Sequence, residues 1–340
     1  MPQRAVIFPG TVPKPFDAGG GERRPQRMGK GANLEGRAKM GALNRRDFLK
    51  AGTAALGTAI IADVASKALT RGTNVAEAAG PEPEYEIYAC KYGGPLIRKV
   101  AIVLWNVGWD EDGPINYYVW AIKAKNGETI VVDTGPSPAQ GAARKVPGFV
   151  NPIEVLARVG ATADSVSKVV ITHMHWDHVG NIEGFLQAFP KAKFYVQKRE
   201  FDFCVKNPVS QRKPIAILFD PLASKAVGGM EGSDRLLIVD GDYNLAPGVD
   251  LFLAPGHTLG LQVVRVNTAK GPAVVGSDCA HVFRGYREDN PSCFIMDMPA
   301  WIQSFDTVKS KAAIDLIFPG HDILMHQNFP KVAEDVTRLV

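Results

Sequence analysis

The sequence predicts an α/β fold, and three observations carry that reading. Short apolar, β-like runs recur near 98–105, 116–123, 128–133, 168–172, 193–196, 235–240, 249–253, 261–266, 272–277 and 314–318. Segments of helical character fall near 152–159, 178–188, 299–313 and 330–339. Several of the β-like runs close on Gly or Ser and are followed at once by His or Asp. Such alternation of element types argues for sheets covered by helices.

Taken in order, the first 39 residues are rich in Gly, Pro and Arg with little apolar periodicity, so a disordered extension is expected at 1–39. Translation is expected to begin at Met28 or Met40, a genuine cytosolic tail being the alternative. Residues 44–50, Asn-Arg-Arg-Asp-Phe-Leu-Lys, resemble a twin-arginine export signal. The uncharged stretch 51–62 after it suits a signal core and is too short for a stable membrane anchor. Val-Ala-Glu-Ala at 75–78 offers a small-x-small cleavage site. The resemblance therefore implies a signal peptide at 40–79, engagement of the twin-arginine export machinery, and a periplasmic or secreted product.

The charge supports this division. The whole chain is formally +4, but residues 1–79 hold thirteen Lys and Arg against six Asp and Glu. The remainder, with 26 basic and 29 acidic residues, is −3. A slightly acidic domain has no electrostatic footprint for nucleic acid, so no nucleic-acid partner is expected. Residues 80–340 are ample for one large catalytic domain.

The densest chemistry is Thr-His-Met-His-Trp-Asp-His at residues 172–178, directly after the apolar run 168–171. It packs His173, His175, Asp177 and His178 into six positions. Alternate residues of an extended chain point the same way, so His173, His175 and Asp177 are expected to converge while His178 turns toward a second point. Imidazole and carboxylate suit Zn²⁺ and related ions. His257 in Ala-Pro-Gly-His, Asp278 in Val-Val-Gly-Ser-Asp and His321 in Ile-Phe-Pro-Gly-His each follow a β-like run. Of seven histidines in the chain, five fall into this pattern, which leaves little room for a purely structural role.

The order His-x-His-x-Asp-His, then a lone His, a lone Asp and a lone His, resembles the metallo-β-lactamase superfamily over roughly residues 85–340. The resemblance implies a four-layer αβ/βα sandwich: two mixed sheets face to face, with helices outside. It also implies one metal at His173, His175 and His257, a second at Asp177, His178 and His321, and Asp278 bridging them. Asp133, in Ile-Val-Val-Asp-Thr-Gly, matches an early strand-end Asp of the family that supports ligands rather than binding metal. Two Zn²⁺ per chain are expected, with Fe, Mn or Co as other possible ions. Paired ions about 3.5–4 Å apart bring the pKa of a shared water toward ~7, giving a hydroxide nucleophile.

Asp at the bridging position speaks against a true β-lactamase, where the family places Cys or Ser. His175 speaks against flavin-linked diiron relatives, which carry Glu there. Asp-Tyr…Pro-Gly-Val…Pro-Gly-His…Gly-x-Gln over 242–262 is similar to N-acyl homoserine lactone lactonases and pyridoxolactonase-like enzymes. That implies an exported hydrolase opening a cyclic ester of a small molecule by attack of the bridging hydroxide, with Asp177 passing the proton to the leaving alkoxide. Those lactonases often place Tyr three residues after the bridging Asp; here the position is His281, which can donate a hydrogen bond to a developing oxyanion or simply pack beside the site. The alternatives are a hydrolase of another ester, amide, thioester or phosphotriester, an iron-dependent sulfur dioxygenase, or a metal-retaining binding module.

Residues 104–113, with Trp105 and Trp109, the irregular insert 205–232, and Phe283, Tyr286 and Arg287 are candidate cavity walls, ordinary packing being the alternative for each. The four cysteines form no Cys-x-x-Cys pair, and Cys279 is expected to be a small buried hydrophobe.

Overall fold

The computed structural model describes residues 83–340; the expected extension and export signal at 1–79 lie outside the described residues. The strands, in chain order, are β1 Tyr85–Lys99, β2 Asp112–Ala124, β3 Thr129–Val132, β4 Val166–Val170, β5 Lys193–Gln197, β6 Leu236–Val239, β7 Tyr243–Ala246, β8 Val249–Leu253, β9 Gln262–Thr268, β10 Gly271–Ser277, β11 Ile317–Pro319, β12 Lys331–Ala333 and β13 Val336–Arg338. They form an eight-stranded sheet, β12-β13-β1-β2-β3-β4-β5-β6, and a five-stranded sheet, β11-β10-β9-β8-β7. Both are mixed: β3 to β6 pair in parallel, as do β10 and β11, and the other pairings are antiparallel.

The period-two alternation of side chains sorts the apolar residues into layers. Tyr118, Trp120 and Ile122 of β2 pack with Val264, Val266 and Val275 of the second sheet between the sheets. Val119 and Ala121, on the opposite face, pack with Val155, Leu156, Ile182 and Phe185 of the covering helices. Beyond the second sheet, Val263, Val274 and Ile317 are covered by Trp301, Phe305 and Val308 of the helix Met298–Lys309. The result is the expected helix–sheet–sheet–helix sandwich, with β2 and β3 buried on both faces.

Five expectations are corrected. The run near 98–105 is the end of β1 followed by a single helical turn, Val100–Val103. β1 begins much earlier, at Tyr85, and pairs with β2 through register shifts around Gly93. The expected helix at 330–339 is the hairpin β12–β13, which pairs with the edge of β1; Asp335 takes the left-handed turn conformation at φ 56°. Near 314–318 only Ile317 onward is strand, after a 3₁₀ turn at Ile314–Leu316. The expected helix at 178–188 is two helices, Trp176–Val179 and Ile182–Ala188. The insert 205–232 is not structureless: it carries Pro208–Gln211, Lys213–Ala216 and Pro221–Gly229, each opened by a proline in its first turn. Among the described residues no helix is long and apolar enough to cross a membrane.

Candidate metal centre

Five strands deliver the candidate residues to one edge of the sandwich. Asp133 follows β3, His173 and His175 follow β4, His257 follows β8, Asp278 follows β10 and His321 follows β11. Two of these exits hold rare backbone: Asp133 at φ 63° and Ser277 at φ 43°, strain of the kind that collects at functional sites. Gly320 is required by closeness, since a Cβ there would stand 2.0 Å from Asp278 Oδ1.

The structure brings all eight sequence-identified residues, His281 included, to this one point. His173, His175 and His257 form one group able to hold an ion, and Asp177, His178 and His321 form another. Strand alternation alone placed Asp177 with His173 and His175. The helix opening at Trp176 carries it to the other group instead. His175 Nδ1 lies 3.1 Å from His173 Nε2 and 3.0 Å from His257 Nε2. Two nitrogens about 2.1 Å from one tetrahedral zinc stand about 3.4 Å apart, so the spacing is close to that of a shared ion. Asp278 lies between the groups. Its Oδ2 faces His257 Nε2 at 3.4 Å, its Oδ1 faces His178 Nε2 at 3.4 Å, and His321 Nε2 lies 3.2 Å from both oxygens.

The surrounding hydrogen bonds fix the ring tautomers. A carbonyl oxygen can only accept, so His257 Nδ1 donates to Phe294 O at 2.9 Å and His321 Nδ1 donates to Asn116 O at 2.9 Å. Each ring therefore turns a bare Nε2 inward. His178 Nδ1 lies 2.7 Å from Asp133 Oδ2, and that carboxylate is itself held by the backbone N–H of Thr172 at 2.7 Å and its hydroxyl at 2.8 Å. His178 Nε2 and Asp278 Oδ1 are buried with no hydrogen-bond partner, an expensive state that an ion relieves.

Electrostatics divide the groups in the same way. Burial, reinforced by neighbouring imidazoles, keeps His173 and His175 well below the usual histidine range, and burial brings His257 to about 4. These rings are neutral ligands at physiological pH. Burial also opposes charge on His178, but Asp278, Asp177 and Asp133 outweigh it and push His178 well up. Burial resists ionisation of Asp278, yet His321, His281 and His178 hold its carboxyl well below the usual range. Two or more buried carboxylates facing five imidazoles are the donor set of a divalent-cation site, and these residues fit a pair of ions.

The rim differs in part from the expectation. Trp105 and Trp109 are exposed and lie outside the cavity lining; the single turn Val100–Val103 supplies Ile102 and Val103 instead. Phe283 and Tyr286 are core residues, and Arg287 pairs at the surface with Asp315. The insert does contribute, through Ile217, Leu218 and Phe219, whose ring packs 5.1 Å from that of His175. All four cysteines are free; burial pushes the Cys279 thiol to about 12. Sequence reading missed Glu200. Fully buried, its carboxylate accepts from Met174 N at 2.8 Å and Gly260 N at 3.0 Å, tying the loop of His173 and His175 to that of His257. A glutamate three residues past a buried strand end was the available signal.

With this geometry in view, the chain belongs to the metallo-beta-lactamase superfamily, whose profile matches residues 111–321. The N-acyl homoserine lactonase AiiA of Bacillus thuringiensis subsp. kurstaki is 26% identical over 174 residues, 50% of this chain and 62% of its own. A hydroxyacylglutathione hydrolase of Klebsiella pneumoniae subsp. pneumoniae is 25% identical over 180 residues, 52% of this chain and 55% of its own. The chain thus spans less than two thirds of the length of these curated relatives. Among solved structures, a quorum-quenching N-acyl homoserine lactone lactonase aligns with TM-score 0.59 at 20% identity, over 74% of this chain and 97% of that one. The hydrolase AbOPH aligns with TM-score 0.56 at 16% identity, over 75% and 93%. At these identities the structural likeness establishes the shared fold.

Proposed function

We infer that the protein is a two-metal hydrolase that opens a cyclic ester, with N-acyl homoserine lactone-type compounds as the substrate class. The observation that carries this is Asp278, whose carboxylate lies within 3.4 Å of His257 in one histidine group and of His178 and His321 in the other, at the floor of a cavity of about 430 Å³. His173, His175 and His257 would hold one ion, Asp177, His178 and His321 the other, with Asp278 shared. When bound, such a pair supplies Lewis-acid polarisation of a carbonyl and an activated water at neutral pH. Zn²⁺ suits the His/Asp donor set, and Fe, Mn or Co can occupy the same donors.

The protein's own groups then have defined tasks. Asp133 orients His178, and the Phe294 and Asn116 carbonyls orient His257 and His321. Asp177 lines the cavity and is placed to carry a proton toward the leaving oxygen. His281 lines the same cavity, its Nε2 3.4 Å from Asp278 Oδ2, and is placed to donate to the carbonyl oxygen as charge develops there. The lactone assignment rests on the Asp-Tyr…Pro-Gly-Val…Pro-Gly-His frame and the lactonase relatives. Export by the twin-arginine route, with Arg45 and Arg46 as its signal, belongs to the same reading.

A panel of lactones, β-lactams, thioesters and phosphotriesters, assayed on metal-replete protein, tests the assignment. Turnover is expected to be fastest on a lactone. Preference for a thioester or phosphotriester, with no lactone turned over, would overturn the substrate class.

A further inference from the structure

Two arginines share the metal-floored cavity, and among the described residues neither pairs with a carboxylate. Arg98 stands near the end of β1, its positive charge close enough to act on the Tyr117 phenol, and Tyr117 packs edge-on against His321 with ring centroids 5.2 Å apart. Arg144 ends the helix Pro138–Ala143. Its guanidinium lies 4.3 Å from the ring of Trp176, the residue between His175 and Asp177. One arm of it donates to Ile217 O at 3.2 Å. Of the two carboxylates whose field Arg144 feels, Asp177 belongs to the candidate metal-holding group with His178 and His321, and Asp220 accepts from Leu222 N at the start of the helix Pro221–Gly229. Both side chains line the cavity from its solvent-exposed rim, and the Arg144 guanidinium is held over the ring of Trp176, next to His175 and Asp177.

Between them the wall is apolar, formed by Leu96, Ile102, Ile217 and Phe294. A neutral acyl chain uses such a wall but leaves two forked donors unanswered. On the foregoing reading of the site as an ester-opening centre, the geometry points to a substrate with two features: an apolar body, and a carboxylate remote from the scissile bond that Arg98 and Arg144 grip. A guanidinium fork matches a carboxylate bidentately, which adds geometric specificity to the charge attraction at the cavity rim.

The test compares two γ-lactones of equal side-chain length, one ending in a carboxylate and one in a primary carboxamide. The carboxylate substrate is expected to show the higher kcat/KM by about ten- to hundredfold, the size of one charge-assisted hydrogen bond. The ratio should shrink as salt rises. It should fall toward one in the Arg98→Gln/Arg144→Gln protein and recover in part with Lys at both positions, which keeps charge but loses the fork. In parallel, the two ring-opened hydroxy acids are titrated calorimetrically into metal-loaded protein. The carboxylate-ended product should bind tighter by a similar factor, and the double variant should abolish the difference. Equal treatment of the two termini in rate and binding, or a preference that survives the double variant, overturns the inference. Absence of any lactone turnover with the binding preference intact would overturn the lactone assignment and leave the anion grip standing.

Discussion

Asp278 decides the character of the centre at the scale of single residues. A histidine triad alone would hold one ion; a carboxylate within reach of both groups is what would let a pair be held. His281 stands three residues after Asp278, where the resemblance to lactonases implies Tyr. The His281→Ala variant is expected to lose up to about 10² in kcat with metal content intact, less than a site relying on hydrogen bonds alone because ions share the oxyanion's charge. His281→Tyr should restore part of the loss. Unchanged kcat and KM in His281→Ala would make it a packing residue stacked on Phe294. The candidate ligands were legible in sequence because each stands directly after a short buried strand, so a local pattern carried the information. Glu200, Arg98 and Arg144 were not legible in the same way. Glu200 acts on backbone groups 26 and 60 residues away, and the arginines matter only through a cavity that folding creates.

Among the elements, the interior strands were readable and the edges were not. The core of β2 and all of β3 are buried without a break and apolar in composition, which marks them in the sequence. The hairpin β12–β13 reads as helical because its pairing energy comes from β1, some 240 residues earlier. Its turn residue Asp335 also lies 2.8 Å from Lys91 and 3.3 Å from Arg158. Burial opposes the Asp335 charge, but Lys91 and Arg158 prevail and its pKa falls below the ordinary 3.8. A depressed carboxylate pKa stabilises the fold above the unfolded value, and this stabilisation disappears as pH falls through the folded one. Asp335→Asn, which keeps the left-handed turn accessible, should lower stability at pH 7 by about 1 kcal/mol or less, discounted for partial exposure. The difference from the parent protein should vanish under acid conditions below pH 3.8 in urea titrations. A gap that persists or widens there would mean that the side chain acts by shape rather than charge.

For the whole molecule, the α/β class followed from alternating elements, and the sandwich followed from the resemblance that the ligand order carries. The cavity walls did not, since aromatic content marked Trp105 and Trp109 while the fold used a short helical turn and the insert. The division between a +7 leader and a −3 remainder motivates the export proposal. Replacing Arg45 and Arg46 by Lys preserves charge and is expected to retain the protein in the cytoplasm. Undiminished periplasmic recovery of that variant would refute the route.

The claim of a paired-metal centre is tested most directly by elemental analysis of protein produced with supplemented zinc and freed of loosely bound ion. Two equivalents per chain are expected for the parent protein. Asp278→Ala should drop to one or fewer, because no nearby carboxylate can be shared in its place. One equivalent or less in the parent protein at saturating metal would contradict the account.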